Sequence, residues 1–217
     1  YALSAFNAES GDELGTVGYG DGLLLPSQIA PESALGQVLG CATVGSRIVA
    51  TFPSSVDAPG EVYIMDVLDT VPSAAWGEPQ DPKAGMPTVT LGKDGAPTVA
   101  IPDAPAPDAI EISVLKKGDG PAVKPNDTTL LQYYGVDWAT GESFDSSWSR
   151  GAPYSNPGNN YVPGFVQALD GQTVGSQVLV VIPPALAYGE AGSSDHQLAG
   201  ATLVFVIDIL ATAQAAS

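Results

Sequence analysis

The chain has 217 residues, with 7 lysines and arginines against 24 aspartates and glutamates, a formal net charge of −17; such acidity repels nucleic-acid phosphates and anionic lipid and excludes both as partners. A hydrophobic fraction of 44% is enough to build a packed core and excludes a disordered chain. Charged residues make up only 14%, and 25 glycines with 19 prolines favour short strands and many turns over long helices.

From the N-terminus, the chain opens on Tyr1 rather than methionine, as expected of a processed or trimmed product. Low lysine, strong acidity and a middle rich in proline, alanine and aspartate predict an extracytoplasmic protein, secreted or held at the cell envelope, with a lipid anchor upstream of Tyr1 left open. Val38-Leu39-Gly40-Cys41 superficially resembles a lipoprotein cleavage box, but no basic segment and long apolar run precede it, so the match is read as accidental. Cys41 is the one cysteine, which excludes an internal disulfide and a cysteine-based metal cluster. No stretch approaches the roughly 20 apolar residues of a membrane-spanning helix.

From about Pro72 to Pro107 the composition reads as a linker. Within it, Thr88-Val89-Thr90-Leu91 and Thr98-Val99-Ala100-Ile101 flank Gly92-Lys93-Asp94-Gly95 and predict a hairpin. Further on, Thr128 to Trp138, Gln177 to Ile182 and Thr202 to Leu210 are rich in β-branched and aromatic residues, as strands are. Between them, Phe165, Ala168 and Leu169 fall at i, i+3 and i+4, with Pro163 just before and Gly171 just past the end: one short helix. Antiparallel strands wrapped on one short helix make an α+β domain.

The pattern repeats within the chain. Val44-Gly45-Ser46-Arg47-Ile48-Val49-Ala50-Thr51-Phe52-Pro53 parallels Val174 to Pro183 at an offset of 130, and Tyr63-Ile64-Met65-Asp66-Val67-Leu68 parallels Phe205 to Leu210 at an offset of 142. The first copy therefore lacks 12 residues between Pro53 and Tyr63. The expected organisation is a degenerate, incomplete copy over residues 1–72, a linker with its hairpin over 73–107, and a complete domain over 108–217. The first copy also lacks the opening strand supplied in the second by about Ile110 to Leu131, and the linker hairpin is expected either to pack against that bare edge or to belong to a free linker.

Ordinary catalytic chemistry is sparse. The single histidine, His196, lies in a Gly/Ser/Asp loop and reads as a solvated loop residue; zinc sites and histidine-based triads are excluded. Phosphate-binding loops of the GxxxxGK[ST] kind are absent. Most carboxylates lie in turns or beside Gly and Pro, where they form turns and solubilise. Neither a metal nor a cofactor is expected.

The second copy carries an ordered set of motifs: Val114-Leu115-Lys116-Lys117-Gly118-Asp119-Gly120, Gln132-Tyr133-Tyr134-Gly135, Gly141-Glu142-Ser143-Phe144-Asp145-Ser146-Ser147, Val162-Pro163-Gly164-Phe165, Val174-Gly175, Pro184-Ala185-Leu186-Ala187-Tyr188-Gly189 and Ala201-Thr202-Leu203-Val204-Phe205. With these motifs, residues 108–212 resemble the FKBP-type peptidyl-prolyl isomerases.

The resemblance implies an antiparallel sheet wrapped around one short helix, and a proline pocket lined by Tyr133, Phe144, Tyr154, Val162, Phe165, Tyr188 and Phe205, with Phe165 at its floor. It gives Tyr161 a backbone contact to the bound peptide and makes Asp145 the pocket aspartate, held by Arg150. Asp145, Tyr188, Phe165 and Tyr133 are the expected catalytic set; Phe144, Tyr154, Tyr161, Val162 and Phe205 bind substrate. Two features depart from the family: its usual floor residue is tryptophan, and the loop from Glu190 to Gly200 replaces an isoleucine-proline-proline stretch with Gln197-Leu198-Ala199. Leu198 alone is expected to supply an apolar rim contact there.

The implied function is cis-trans isomerisation of X-Pro bonds in exported proteins; the alternative is a non-catalytic module or holdase that grips proline segments. Partners would be proline-containing peptides, unfolded client proteins and rapamycin-like macrolides, and the chain would be a monomer. In the first copy Gly15 stands where Asp145 does, Leu35 where Phe165 does, and the counterpart of Tyr188 is missing. It is expected to be a scaffold or client-binding domain without catalysis.

Overall fold

The computed structural model describes residues 1–19, 33–56 and 58–213. Residues 1–71 and 72–212 form two compact units.

The first unit is a four-stranded antiparallel sheet in the order β2-β1-β4-β3, built from β1 (Ala2–Asn7), β2 (Glu13–Val17), β3 (Arg47–Phe52) and β4 (Glu61–Asp66). Its short helix α1 (Ala34–Leu39) starts at Ser33, whose hydroxyl accepts the Gly36 N–H, but the helix buries none of its residues. Among the described residues the hydrophobics this unit buries are Ala2, Ala5, Ala50 and Met65. Across β3 and β4 the Arg47 guanidinium donates two hydrogen bonds to the Asp66 carboxylate, both 2.7 Å.

The second unit begins earlier than the sequence suggests, because residues 72–107 are part of its body. Ala75 is buried and its N–H donates to the Asp208 carboxylate (2.8 Å); Lys116 Nζ donates to the Ala75 carbonyl (2.9 Å). Then β5 (Glu78–Pro79) pairs with β8 (Glu111–Lys117). The hairpin of β6 (Thr88–Leu91) and β7 (Pro97–Ala100) forms, but its place differs from the one expected. Val89, Val99, Met86 and Ile101 pack on Val136, Trp138, Leu179, Val181, Val204 and Val206 of the second unit's own sheet.

That sheet runs β10-β9-β13-β12-β8-β5, from β9 (Thr128–Asp137), β10 (Ser143–Ser146), β12 (Gln177–Ile182) and β13 (Leu203–Ala213), with β11 (Tyr154–Pro157) also paired to β9. Side chains alternate across the sheet. Val178, Val180, Ile182, Leu203, Phe205, Ile207 and Ile209 face the core that holds helix α2 (Pro163–Leu169); Leu179, Val181, Val204 and Val206 face the hairpin. Two covered faces explain why β12 and β13 read as continuous apolar runs rather than alternating ones. The hairpin is thus the cover of a second hydrophobic face, which a composition-based reading of proline and alanine as linker overlooks.

Helix α2 buries Gly164, Phe165, Ala168 and Leu169, the i, i+3, i+4 stripe with its neighbour. Its close seat depends on Gly164: a Cβ there would lie 2.4 Å from Ile182 Cγ2. The seat sets the depth at which Phe165 enters the core.

Candidate active site

One face of the second unit opens into a cavity of about 410 Å³. Its base is aromatic. Phe165 from α2, Phe205 from β13 and Tyr133 from β9 are 4%, 6% and 8% exposed, so each is packed on one side and presents only an edge or tip to the cavity. The rings meet edge to face, the arrangement their quadrupoles favour. Phe165 and Phe205 stand 5.2 Å apart at 86°, and Phe144 and Phe205 5.4 Å apart at 89°. Tyr161 instead stacks on Phe165, at 4.7 Å and 24°. Gly135 on β9 makes room for this cluster, since a Cβ there would sit 2.7 Å from Phe144 Cζ and 3.0 Å from Phe205 Cε1.

The walls are Tyr154, Tyr161, Val162 and Tyr188. Tyr154 meets Tyr133 edge on at 5.7 Å. The Tyr161 hydroxyl shares a 3.2 Å hydrogen bond with Thr129 Oγ1, and burial raises its pKa. Burial, then the nearby Asp145 charge, also raise Tyr188. Both hydroxyls therefore stay protonated and able to donate at neutral pH.

One corner is polar. Tyr133 donates its hydroxyl proton to Asp145 Oδ2 (2.6 Å), Arg150 Nη1 donates to Asp145 Oδ1, and Arg150 Nη2 donates to the Tyr133 hydroxyl oxygen (2.6 Å). The Ser146 N–H adds a bond to Asp145 Oδ1 (2.8 Å). Burial by itself would raise the Asp145 carboxyl, but the bonds from Tyr133 and Arg150 and the guanidinium charge outweigh it and lower its pKa. Burial, followed by the bond to Asp145, pushes Tyr133 up to about 12. The corner thus fixes a carboxylate anion, a neutral phenol and a cation at the mouth of an apolar cup.

Nine of the ten residues singled out from the sequence line this cavity, together with Arg150. Leu198 does not. Its side chain lies half buried against the hydrophobic core, so the apolar rim contact expected of it is corrected. Asn156 and Asn160 line the wall and were not singled out; Asn160 Nδ2 donates to Asn156 Oδ1 (3.1 Å). Asn156 was findable, because on β11 it follows Tyr154 by two and so shares its face. His196 is exposed, as a loop residue should be, but its ring stacks on Tyr188 rather than standing free in solvent.

The family described as "FKBP-type peptidyl-prolyl cis-trans isomerase" matches residues 120–210. A "probable FK506-binding protein" of Corynebacterium glutamicum is 41% identical over 114 residues, 52% of this chain and 96% of that protein. The chain belongs to the FKBP-type peptidyl-prolyl cis-trans isomerase family. An FK506-binding protein of Streptomyces anulatus is 36% identical over 118 residues, 53% of this chain and 95% of its own length. The crystal structure of FkpA from Escherichia coli aligns at 30% identity over 62% of this chain and 54% of its own, with a TM-score of 0.46. As a member of the family, the chain is a peptidyl-prolyl cis-trans isomerase, and its second unit is the FKBP part.

Proposed function

We propose that the aromatic cup is where this isomerase binds the prolyl ring and lets the preceding peptide bond rotate. Rotation about an X-Pro bond is opposed by a barrier of roughly 18–20 kcal/mol from amide resonance, and uncatalysed exchange takes tens to hundreds of seconds. The twisted amide is less polar than the planar one, because its nitrogen no longer donates into the carbonyl. Moving it from water into an apolar cup therefore penalises the planar ground state more than the twisted state, which is differential binding. Neither a proton transfer nor a nucleophile is required.

In this reading Phe165 is the platform under the ring, with Phe205, Phe144, Tyr133 and Val162 around it and Tyr154 and Tyr161 as walls. The Tyr188 hydroxyl donates to a substrate carbonyl and fixes the chain. Asp145, ionised and tied to Tyr133 and Arg150, orients Tyr133 and places negative charge near the carbonyl carbon of the twisted amide. A millionfold acceleration needs about 8 kcal/mol, and one neutral hydrogen bond contributes only about 1 kcal/mol net, so apolar burial and shape carry the larger share.

The observation that carries the proposal is the cup itself: three deeply buried aromatic rings converge from three different elements beside a locked carboxylate. Exported, proline-containing client proteins and an extracytoplasmic location are supported by the acidic, lysine-poor composition. Rapamycin-like macrolides would compete for the same apolar volume, as the names of the FK506-binding relatives suggest.

The first unit we take to be a degenerate, non-catalytic copy that serves as scaffold or client-binding surface. Its sheet order β2-β1-β4-β3 matches β10-β9-β13-β12 element for element, which supports that origin.

A protease-free isomerase assay of the full chain on a proline tetrapeptide tests the site. Asp145→Val and Phe165→Ala should each lose most of the catalysed rate, and unchanged rates would refute it. Stoichiometric peptide binding without turnover would favour the holdase reading.

A further inference from the structure

The loop between Tyr188 and Ala201 places the chain's single histidine directly on the cup wall. The imidazole of His196 lies face to face with the phenol of Tyr188, ring centroids 3.6 Å apart and planes 6° from parallel. The histidine is itself held: its Nδ1 accepts the Leu198 N–H at 3.1 Å, and Leu198 in turn packs on the core. The loop is closed on Tyr188 from two further sides, by Ser194 Oγ donating to the Tyr188 carbonyl (2.9 Å) and the Gly200 N–H donating to the Gly189 carbonyl (2.8 Å).

Tyr188 needs such support. Among the described residues no hydrogen bond engages its hydroxyl, unlike Tyr133 and Tyr161, which are both bonded. A phenol without a hydrogen bond is oriented by packing alone, and a flat ring at stacking distance opposes rotation about the bond that carries the phenol.

We infer that His196 is a positioning residue: its imidazole holds the Tyr188 phenol in the orientation in which the hydroxyl meets the substrate. The chain of support runs from the core through Leu198 to His196 to Tyr188, so a loop that lacks an apolar rim contact still shapes the cup. The inference rests on the cup being the site of isomerisation.

Steady-state kinetics of the full chain on a proline tetrapeptide test it. His196→Ala should raise KM about two- to threefold, no more than loss of the Tyr188 hydroxyl itself costs, with kcat nearly unchanged, the pattern of lost ground-state and transition-state binding in equal measure. His196→Phe keeps a flat ring and should restore KM; His196→Asn keeps an acceptor for the Leu198 N–H without the ring and should not. In a Tyr188→Phe background, His196→Ala should add no further rise in KM. Nuclear magnetic resonance should show the Tyr188 ring protons losing their ring-current shift in His196→Ala, while the fold, read from amide shifts elsewhere, stays intact. An unchanged KM in His196→Ala, or rescue by Asn rather than Phe, would overturn the inference. These outcomes are separable from failure of the cup itself, which Asp145→Val and Phe165→Ala report: silence at His196 with loss at those two positions sinks only the positioning role.

Discussion

The two units carry the same four-strand frame to different ends. In the first, Ala5 faces Gly15 and Phe6 faces Glu13 across a bulge; in the second, Gly135 faces Asp145 and Val136 faces Ser143 across a bulge, each residue shifted by 130. Arg47 faces Asp66 as Gln177 faces Asp208. In these two strand pairs the backbone register is the same in both units, down to the bulge that carries Leu14 in one and Phe144 in the other. What differs is side chains: Leu3 for Tyr133, Leu14 for Phe144, Gly15 for Asp145, Leu35 for Phe165. The cup is therefore not a property of the sheet. It arises where aromatic side chains on the strands, Tyr133, Phe144 and Phe205, meet Phe165 from a helix packed deeply on that sheet, and α1 buries nothing where α2 buries four residues.

Moving the first unit's residues into the second is the sharpest way to break this comparison. The largest expected effect is Phe165→Leu, which removes the platform: kcat/KM should fall about a hundredfold, a loss of about 2.7 kcal/mol of transition-state stabilisation, measured by the isomerase assay. Next is Gly164→Ala, which installs the residue that α1 carries at this place, Ala34. The clash with Ile182 should cost about 1–3 kcal/mol in urea unfolding, and a smaller cost would mean that α2 is not seated by close approach. Asp145→Val strips Tyr133 and Arg150 of their shared anion and should lower kcat/KM about tenfold with little change in urea midpoint, since the ion pair is 42–45% exposed. Tyr188→Phe removes one hydroxyl and should cost no more than a few-fold.

The paired carboxylates give a comparison in pH. Bonds from Arg47, then Tyr19, hold Asp66 at about 2, so its contribution is present above the ordinary carboxylate value and is lost as pH falls from there towards 2. Asp208 has the opposite sign. Burial raises its pKa despite bonds from Ala75 and Gln177, so the folded unit holds that proton more tightly than the unfolded chain and gains stability as pH falls through the raised value. Unfolding of Asp208→Asn followed between pH 3 and 6 should therefore lose this acid-side gain; Asp66→Asn should instead flatten the acid-side loss.

Much of this was legible in residue order. The i, i+3, i+4 stripe of Phe165, Ala168 and Leu169 located α2, and the β-branched runs located β9, β12 and β13, because period and burial are coupled. Tyr133, Phe144, Asp145 and Tyr188, each carried by a motif legible in the sequence, all line the cup. The hairpin's destination was not legible: Val89 and Val99 alternate as an amphipathic hairpin should, but nothing local says which sheet face they cover. Leu198 failed for a related reason, since an apolar residue in a loop can turn to rim or core, and burial chose the core. His196 on Tyr188 could not be read at all, because a contact eight residues apart across an irregular loop has no period to announce it.

The most direct test of the cup as the seat of catalysis is exchange spectroscopy on a proline tetrapeptide, read from its cis and trans resonances, with the wild-type chain and with Asp145→Gly/Phe165→Leu. Strong catalysed exchange in the wild type and its loss in the double variant, with the amide spectrum of the first unit unchanged, is the result predicted. Equal exchange rates in the two proteins would contradict it.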